Sequence, residues 1–389
     1  MPPSASEAPP GGVYLHAPFC SVRCTYCDFP TVAGRDDKMG AYVEALTREI
    51  ATAPCPSLQG IDSIFFGGGT PSRLREEQVV RILAAVRARF AVAEDTEITL
   101  EGNPESLTGD ALAGFRRAGV TRISVGVQSL DDAVLAKVGR AHDAAAAHRA
   151  VVEARAAGFP DVSIDLIAGL PGEDLARWGD TVAEAASWSP DHVSCYLLES
   201  DKDTPLGRAV RGGRLTLHDD DALTAAYETT VAVLEREGFD LYEISNFARA
   251  GRRSRHNLKY WTDVPYAGFG LGAASYLAGE RRSNRRDLDG YLADVEAGRS
   301  PVAESDPFDP SRRLEEALFL GLRVVEGVDL AALSRRYGLD ASSRFAAAWE
   351  RAREAGSIEE RGDRVALTAS GRLSSNELFA DLIAEGRPL

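Results

Sequence analysis

Residues 13–29 read VYLHAPFCSVRCTYCDF, a short apolar run suited to a strand and then three cysteines, Cys20, Cys24 and Cys27, in the spacing CxxxCxxC. A loop this tight can wrap three thiolates around one corner of an iron–sulfur cube, because each soft sulfur takes one iron. Three ligands leave one iron without a protein donor, and an open metal position is what a chemically active site needs. Structural zinc is the competing reading. It requires a fourth ligand, for which His16 on the preceding strand is the nearest candidate. Three of the five cysteines fall between positions 20 and 27. That is a lopsided count for a disulfide framework and reads as metal binding in a reducing compartment, with Cys55 and Cys195 as isolated thiols.

Outward from this loop, strand-like runs over 13–16, 61–66, 97–100, 122–127, 162–167 and 193–198 alternate with helix-period segments such as 78–90, 110–118, 144–157 and 175–187. Alternation of this kind means βαβ units and a parallel sheet. Polar residues just after each strand favour a full or partial (β/α) TIM-type barrel, which works at the carboxyl ends of its strands; an open doubly wound sheet is the other arrangement. Gly119 and Gly158 follow helices and precede strands, which predicts left-handed caps. The leader 1–12 is rich in Pro, Ser, Ala and Gly and reads as flexible, with the barrel and its extension over 13–300. The stretch PVAESDPFDP at 301–310 reads as a linker. Beyond it, helical segments over 312–322, 330–337 and 343–355, a short strand at 365–367 and a last helix predict a small, mainly helical, winged-helix-like domain over 311–389.

A 389-residue chain with 44% hydrophobic and 26% charged residues can bury a large core. Its net charge of −15 argues against a partner held by its phosphate backbone, so no nucleic acid is expected. No apolar run reaches membrane-spanning length and the N-terminus lacks a signal-peptide layout, which predicts a cytoplasmic protein.

With Tyr26 before the last cysteine, the cysteine motif resembles the signature of the radical S-adenosylmethionine superfamily. That resemblance implies one [4Fe-4S] cluster whose open iron is chelated by the amino and carboxylate groups of S-adenosylmethionine, and reductive cleavage to a 5′-deoxyadenosyl radical. Further matches follow along the barrel: GGGTP at 67–71, Glu101 in LEGNPES, Gln128 in SVGVQS, Arg140 in LAKVGRAHD and Asp165 in SIDLIAGLPG. A carboxylate can hold ribose hydroxyls and an arginine can meet a carboxylate in bidentate fashion. By resemblance to the coproporphyrinogen oxidase branch, Tyr14, Gly68 and Glu101 contact a first S-adenosylmethionine. Tyr26, Gly69, Thr70, Gln128, Arg140 and Asp165 contact a second.

From residue 13 into the C-terminal domain the chain resembles the HemN/HemW family, which holds oxygen-independent coproporphyrinogen III oxidases and haem chaperones. Oxidases of that family carry an extra cysteine two positions after the last cluster ligand, and here Phe29 stands there. In RHNLKYW, the residues His256, Asn257, Tyr260 and Trp261 form an HNxxYW pattern that resembles the chaperones. Imidazole is a common haem ligand and aromatics can cover a macrocycle. The arginines at 249, 252, 253 and 255 could meet its propionates. The resemblance implies a chaperone without oxidase activity that carries haem b as cargo to acceptor proteins, membrane-bound respiratory ones among them. Oxidative decarboxylation of coproporphyrinogen III is the alternative.

Overall fold

The computed structural model describes residues 9–56, 58 and 60–386. Six parallel strands, β1 (Gly11–Ala17), β2 (Gly60–Gly68), β3 (Ala91–Gly102), β4 (Arg122–Gln128), β5 (Asp161–Ala168) and β6 (His192–Leu197), follow one another across the sheet. Their side chains alternate with the two-residue period of a strand. One set, including Leu15, Ile64, Leu100, Val125, Ile164 and Val193, is fully buried against the surrounding helices. The other set, including Tyr14, Phe65, Glu101, Ser124, Asp165 and Ser194, lines a central cavity. An apolar outer face and a polar inner one is the pattern of a barrel whose lumen binds something.

Helix ends are written into the sequence. Thr108, Asp143 and Asp219 cap helices Gly109–Ala118, Ala144–Ala156 and Asp220–Arg236 by accepting backbone N–H groups. Gly119 and Gly158 turn the chain back with φ of 104° and 81°, as their positions predicted.

Four more strands lie beyond a two-stranded return made of β7 (Asp240–Glu243) and β8 (Asn246–Ala248): β9 (Tyr266–Phe269), β10 (Ala274–Leu277), β11 (Glu280–Asn284) and β12 (Val302–Pro307). The twelve-stranded order is β12-β11-β10-β9-β1-β2-β3-β4-β5-β6-β8-β7. Its two ends are different strands, so the barrel is partial. Within 301–310, read as a linker, Val302–Pro307 instead form β12, antiparallel to β11, and Pro310 opens the next helix. The exposed Ala303, Glu304 and Ser305 of an edge strand carry no apolar alternation to betray it. The N-terminal strand also starts earlier than 13. Gly11 and Gly12 lie in β1, where a Cβ on Gly11 would stand 2.0 Å from Leu58. The rest of the expected leader, 1–8, falls outside the described residues.

The C-terminal part has its own core around Leu314, Leu318, Phe345, Trp349, Leu378 and Leu382. Its helices come before, between and after the strands of a small antiparallel sheet of Val328–Asp329, Arg364–Leu367 and Ile358–Arg361. The helix expected over 343–355 is two, Ala341–Arg344 and Ala346–Glu354, broken where Phe345 turns into this core. Segment 323–325 runs along the free edge of the large sheet, with Ile244 N–H donating to Arg323 O and Val325 N–H to Tyr242 O, each at 3.1 Å. Among the described residues no helix is long and apolar enough to cross a membrane.

One buried carboxylate knits β9, β11 and two helices together. Glu49 accepts hydrogen bonds from Gly270 N–H (2.8 Å), Asn284 Nδ2 (2.6 Å) and Tyr291 Oη (2.6 Å). Burial pushes its pKa up to about 7. Replacing it with alanine strands three buried donors, so Glu49→Ala should lower stability by about 3–5 kcal/mol in chemical denaturation. A loss under about 1 kcal/mol would show that these bonds contribute little.

Candidate functional site

The cysteine loop leaves the carboxyl end of β1 and is closed by a short parallel pairing of Phe19–Cys20 with Val32–Ala33. Within it, Cys27 N–H turns back onto Cys24 O (3.2 Å) and Thr25 N–H reaches Val138 O (3.0 Å). Burial holds the pKa of His16 down to about 4, so its imidazole is neutral. Pro30 O can only accept, so Nε2 carries the proton and donates to it at 3.0 Å, while Nδ1 accepts from Tyr14 Oη at 3.1 Å. His16 is therefore engaged as a strut for the loop, which counts against it as a fourth ligand beside the cysteines.

All three loop cysteines are free and line the central cavity of about 700 Å³. Thr70 Oγ1 lies 3.5 Å from Cys20 Sγ, and Arg140 Nη1 3.8 Å from Cys24 Sγ. Burial pushes the Cys20 and Cys27 thiols up, with the neighbouring thiols adding to it. Such thiols become thiolates when metal replaces the proton. Among the described residues no three His, Cys, Asp or Glu side chains converge on a single ion. Three sulfurs that each meet a different iron do not need to converge.

The glycine run after β2 packs against this loop. Gly69 N–H bonds Ala17 O (2.9 Å) and Thr70 N–H bonds Phe19 O (3.0 Å). Gly68 has φ of 106°, and a Cβ there would stand 2.3 Å from the His16 ring. Only glycine permits that backbone and that contact.

The polar ring expected at the strand ends is present. Glu101, at the end of β3, accepts from Gly68 N–H and faces Asp165; burial and that like charge raise its pKa to about 8. Asp165 accepts from Ser124 Oγ at 3.2 Å and from Ser194, which counter the upward push of its own burial. Gln128 sits at an irregularity in the β4–β5 pairing with φ of 69°. Arg140 donates through Nη2 to Gly126 O (2.7 Å) and Asn103 Oδ1 (2.8 Å), while its buried Nε lacks a partner. Tyr14 and Tyr26 complete the wall. Sequence reading missed Asn103, which orients Arg140, and the Ser124 and Ser194 hydroxyls on Asp165. Asn103 lies inside the quoted LEGNPES, and the serines occupy inward strand positions, where the alternation could have found them.

The HNxxYW residues do not form the expected haem face. They lie on a short helix, Arg255–Trp261, whose first amides, Arg255 N–H and His256 N–H, both donate to Glu97 at 3.1 Å. This helix stands at the amino ends of the barrel strands. His256 is 0% exposed, with Nδ1 bonded to Ser63 Oγ (3.0 Å), Nε2 to Tyr260 Oη (2.9 Å) and its ring stacked on Phe65. Both ring nitrogens are engaged, so the imidazole expected as a haem ligand is not presented to one. Asn257 and Tyr260 line the cavity from below, whereas Trp261 lies under the Arg323 guanidinium (4.5 Å). The neighbouring arginines are also engaged: Arg249 on Pro190 O, Arg252 with Asp191, Arg253 with Glu326 and Arg255 with Asp95.

Glu101 gives a pH test. Its folded pKa of about 8 exceeds the unfolded value, so its proton stabilises the fold in full below about pH 4.5 and is lost on rising through 8. The ligand-free Glu101→Gln protein should therefore gain on wild type between pH 5 and pH 9, by on the order of 1–3 kcal/mol because the carboxyl keeps some contact with the cavity. Melting curves that differ by the same amount at both pH values would contradict this assignment.

Comparison with known proteins agrees with this geometry. The Radical SAM superfamily model matches residues 14–185 and the HemN C-terminal domain model residues 308–374. The heme chaperone HemW of Bacillus subtilis is 33% identical over 96% of this chain and 99% of its own length, and that of Mycobacterium tuberculosis is 38% identical over 96% and 95%. The mouse mitochondrial radical S-adenosyl methionine domain-containing protein 1 is 36% identical over 84% and 76%. The structure of coproporphyrinogen III oxidase (HemN) from Escherichia coli superposes with a TM-score of 0.83 at 23% identity, covering 96% of this chain and 90% of that one, a likeness of fold. Matched along nearly its whole length and carrying the cysteine loop on a partial barrel, this chain belongs to the heme chaperone HemW family of the radical SAM superfamily.

Proposed function

We propose that this chain binds haem and transfers it to acceptor proteins, and that it holds one [4Fe-4S] cluster on Cys20, Cys24 and Cys27 with S-adenosylmethionine at the open iron. The observation that carries the reading is the placement of three free thiols on one wall of a cavity whose other walls offer two half-buried carboxyls and an arginine. Relatives named as heme chaperones, at 33–38% identity, supply the cargo. Phe29 stands where the oxidases of the family have a further cysteine, which supports the chaperone over the decarboxylase.

The donor set fits these groups. Soft sulfurs suit iron–sulfide, and the unpartnered Nε of Arg140 is a donor waiting for an anionic acceptor. Bound cluster and sulfonium ligand would supply one-electron chemistry. Around them, Glu101 and Tyr14 would hold ribose hydroxyls, with the Gly68 backbone close by. Tyr26, Gly69, Thr70, Gln128, Arg140 and Asp165 would hold a second adenosyl ligand.

Anaerobic iron and sulfide analysis, with electron paramagnetic resonance before and after S-adenosylmethionine, tests the cofactors. A cubane signal altered by the ligand in wild type and lost in Cys24→Ser is expected; zinc, or a spectrum blind to the ligand, sinks the reading. Equilibrium dialysis counts the adenosyl ligands. Haemin should bind with a Soret band and pass to an apo-acceptor. Conversion of coproporphyrinogen III to protoporphyrinogen would move the chain to the decarboxylase reading instead.

A further inference from the structure

The cavity that begins at Asn257 and Tyr260 opens to solvent between the cysteine loop and the end of β6, and its mouth is unlike the rest of the surface. Six large apolar side chains are strongly exposed among the described residues. Val80, Val152 and Val302 are scattered over two helices and an edge strand, whereas Val22 (56% exposed), Phe29 (57%) and Tyr196 (42%) all line this one opening. Partly exposed Pro30, Leu197 and Leu198 extend the rim. Exposed apolar groups gathered around one opening, rather than dispersed, mark a binding site.

The charge there is balanced rather than acidic. The chain carries −15 overall. Around the mouth Arg23, Lys202 and Arg286 stand against the carboxylates of Asp28, Glu199 and Asp201. Arg23 Nη2 donates to Cys27 O (3.2 Å) and Arg286 Nη2 to Asp28 O (2.8 Å), neutral acceptors that do not cancel either guanidinium charge, whereas Lys202 pairs with Glu199 at 3.3 Å. An apolar rim edged with two guanidinium groups complements a flat, apolar molecule that ends in two carboxylates.

We infer that haem is held at this mouth, its macrocycle against Val22, Phe29 and Tyr196 and its propionates toward Arg23 and Arg286, rather than on His256. The inference rests on the haem-carrier reading and names the place where that reading acts. It accounts for a feature otherwise without a role, a phenylalanine, Phe29, standing more than half exposed beside the cluster loop. Haem so placed would close the cavity over whatever occupies the polar ring beneath.

The reconstituted holoprotein should be titrated with haemin, following the Soret band and quenching of intrinsic fluorescence, as wild type, Val22→Ser/Phe29→Ser and Tyr196→Ser. Iron and sulfide content and melting temperature establish that each variant is intact; the substituted side chains are exposed, so the fold should hold. Kd is expected to rise about tenfold in the rim variants, equivalent to roughly 1.4 kcal/mol. The dimethyl ester of haemin, with its propionates masked, should also bind more weakly than haemin to wild type. Rim variants that bind haemin as tightly as wild type overturn this placement while leaving the carrier reading intact. Unchanged affinity with slowed transfer to an apo-acceptor would assign the rim to the acceptor protein and likewise overturn it. A wild type that binds no haemin at all overturns the carrier reading itself.

Discussion

A neutral imidazole holds the cysteine loop to the barrel. His16 spends one ring nitrogen on Tyr14 and the other on the Pro30 carbonyl, its own carbonyl accepts from Tyr42 Oη at 2.6 Å, and Gly68 presses on its ring face. Burial disfavours its charged form, and neutrality is what lets one nitrogen accept while the other donates. Three strand-end segments that share no sequence continuity, after β1, β2 and β9, thereby meet at one residue. Tyr42 carries the chain of bonds onward to Leu271 N–H, and Glu49 closes it through Gly270, Asn284 and Tyr291. A loop with three thiols gains from such anchorage, which adds to the Cys27 N–H to Cys24 O bond of its own backbone.

At the other end of the barrel the same logic closes the floor. Glu97 projects from β3 to take the first amides of the Arg255–Trp261 helix, an acidic group at the positive end of a helix. His256 then pins that helix to Ser63 and to Tyr260. Glu97, Ser63 and His256 are all buried polar groups, and each finds its partner in another, which is how a polar lumen avoids the cost of stranded donors and acceptors.

The barrel was legible because its signal is periodic and repeated. Six strands, the intervening helices and the two glycine caps follow from alternation and capping chemistry that act locally, and the polar ring follows from what ends each strand. What escaped reading obeys other rules. Edge strand β12 is charged and exposed, so it offers no alternation. The Phe345 break depends on a core formed by residues distant in sequence. The HNxxYW segment shows the limit most clearly: its composition suits a haem face and suits a buried plug equally well. Only the position of Glu97 and Ser63, some 160 to 190 residues earlier in the chain, decides between them. Asn103 escaped for a milder reason, since an asparagine beside a proline reads first as a turn residue.

The lumen also carries an imbalance that the fold does not resolve by itself. Glu101 and Asp165 face each other out of bulk water, and the shift of Glu101 toward its protonated form measures the discomfort. Serine hydroxyls and one glycine amide relieve part of it, and Arg140 is turned toward Asn103 and the cysteine wall. A cationic ligand bearing hydroxyl groups would complete what these partners leave undone, so the cost of assembling the carboxyls is met before the ligand arrives and recovered when it binds. The pair thus costs the ligand-free fold stability, since a proton on Glu101 relieves only part of the repulsion and a cationic partner would relieve the rest.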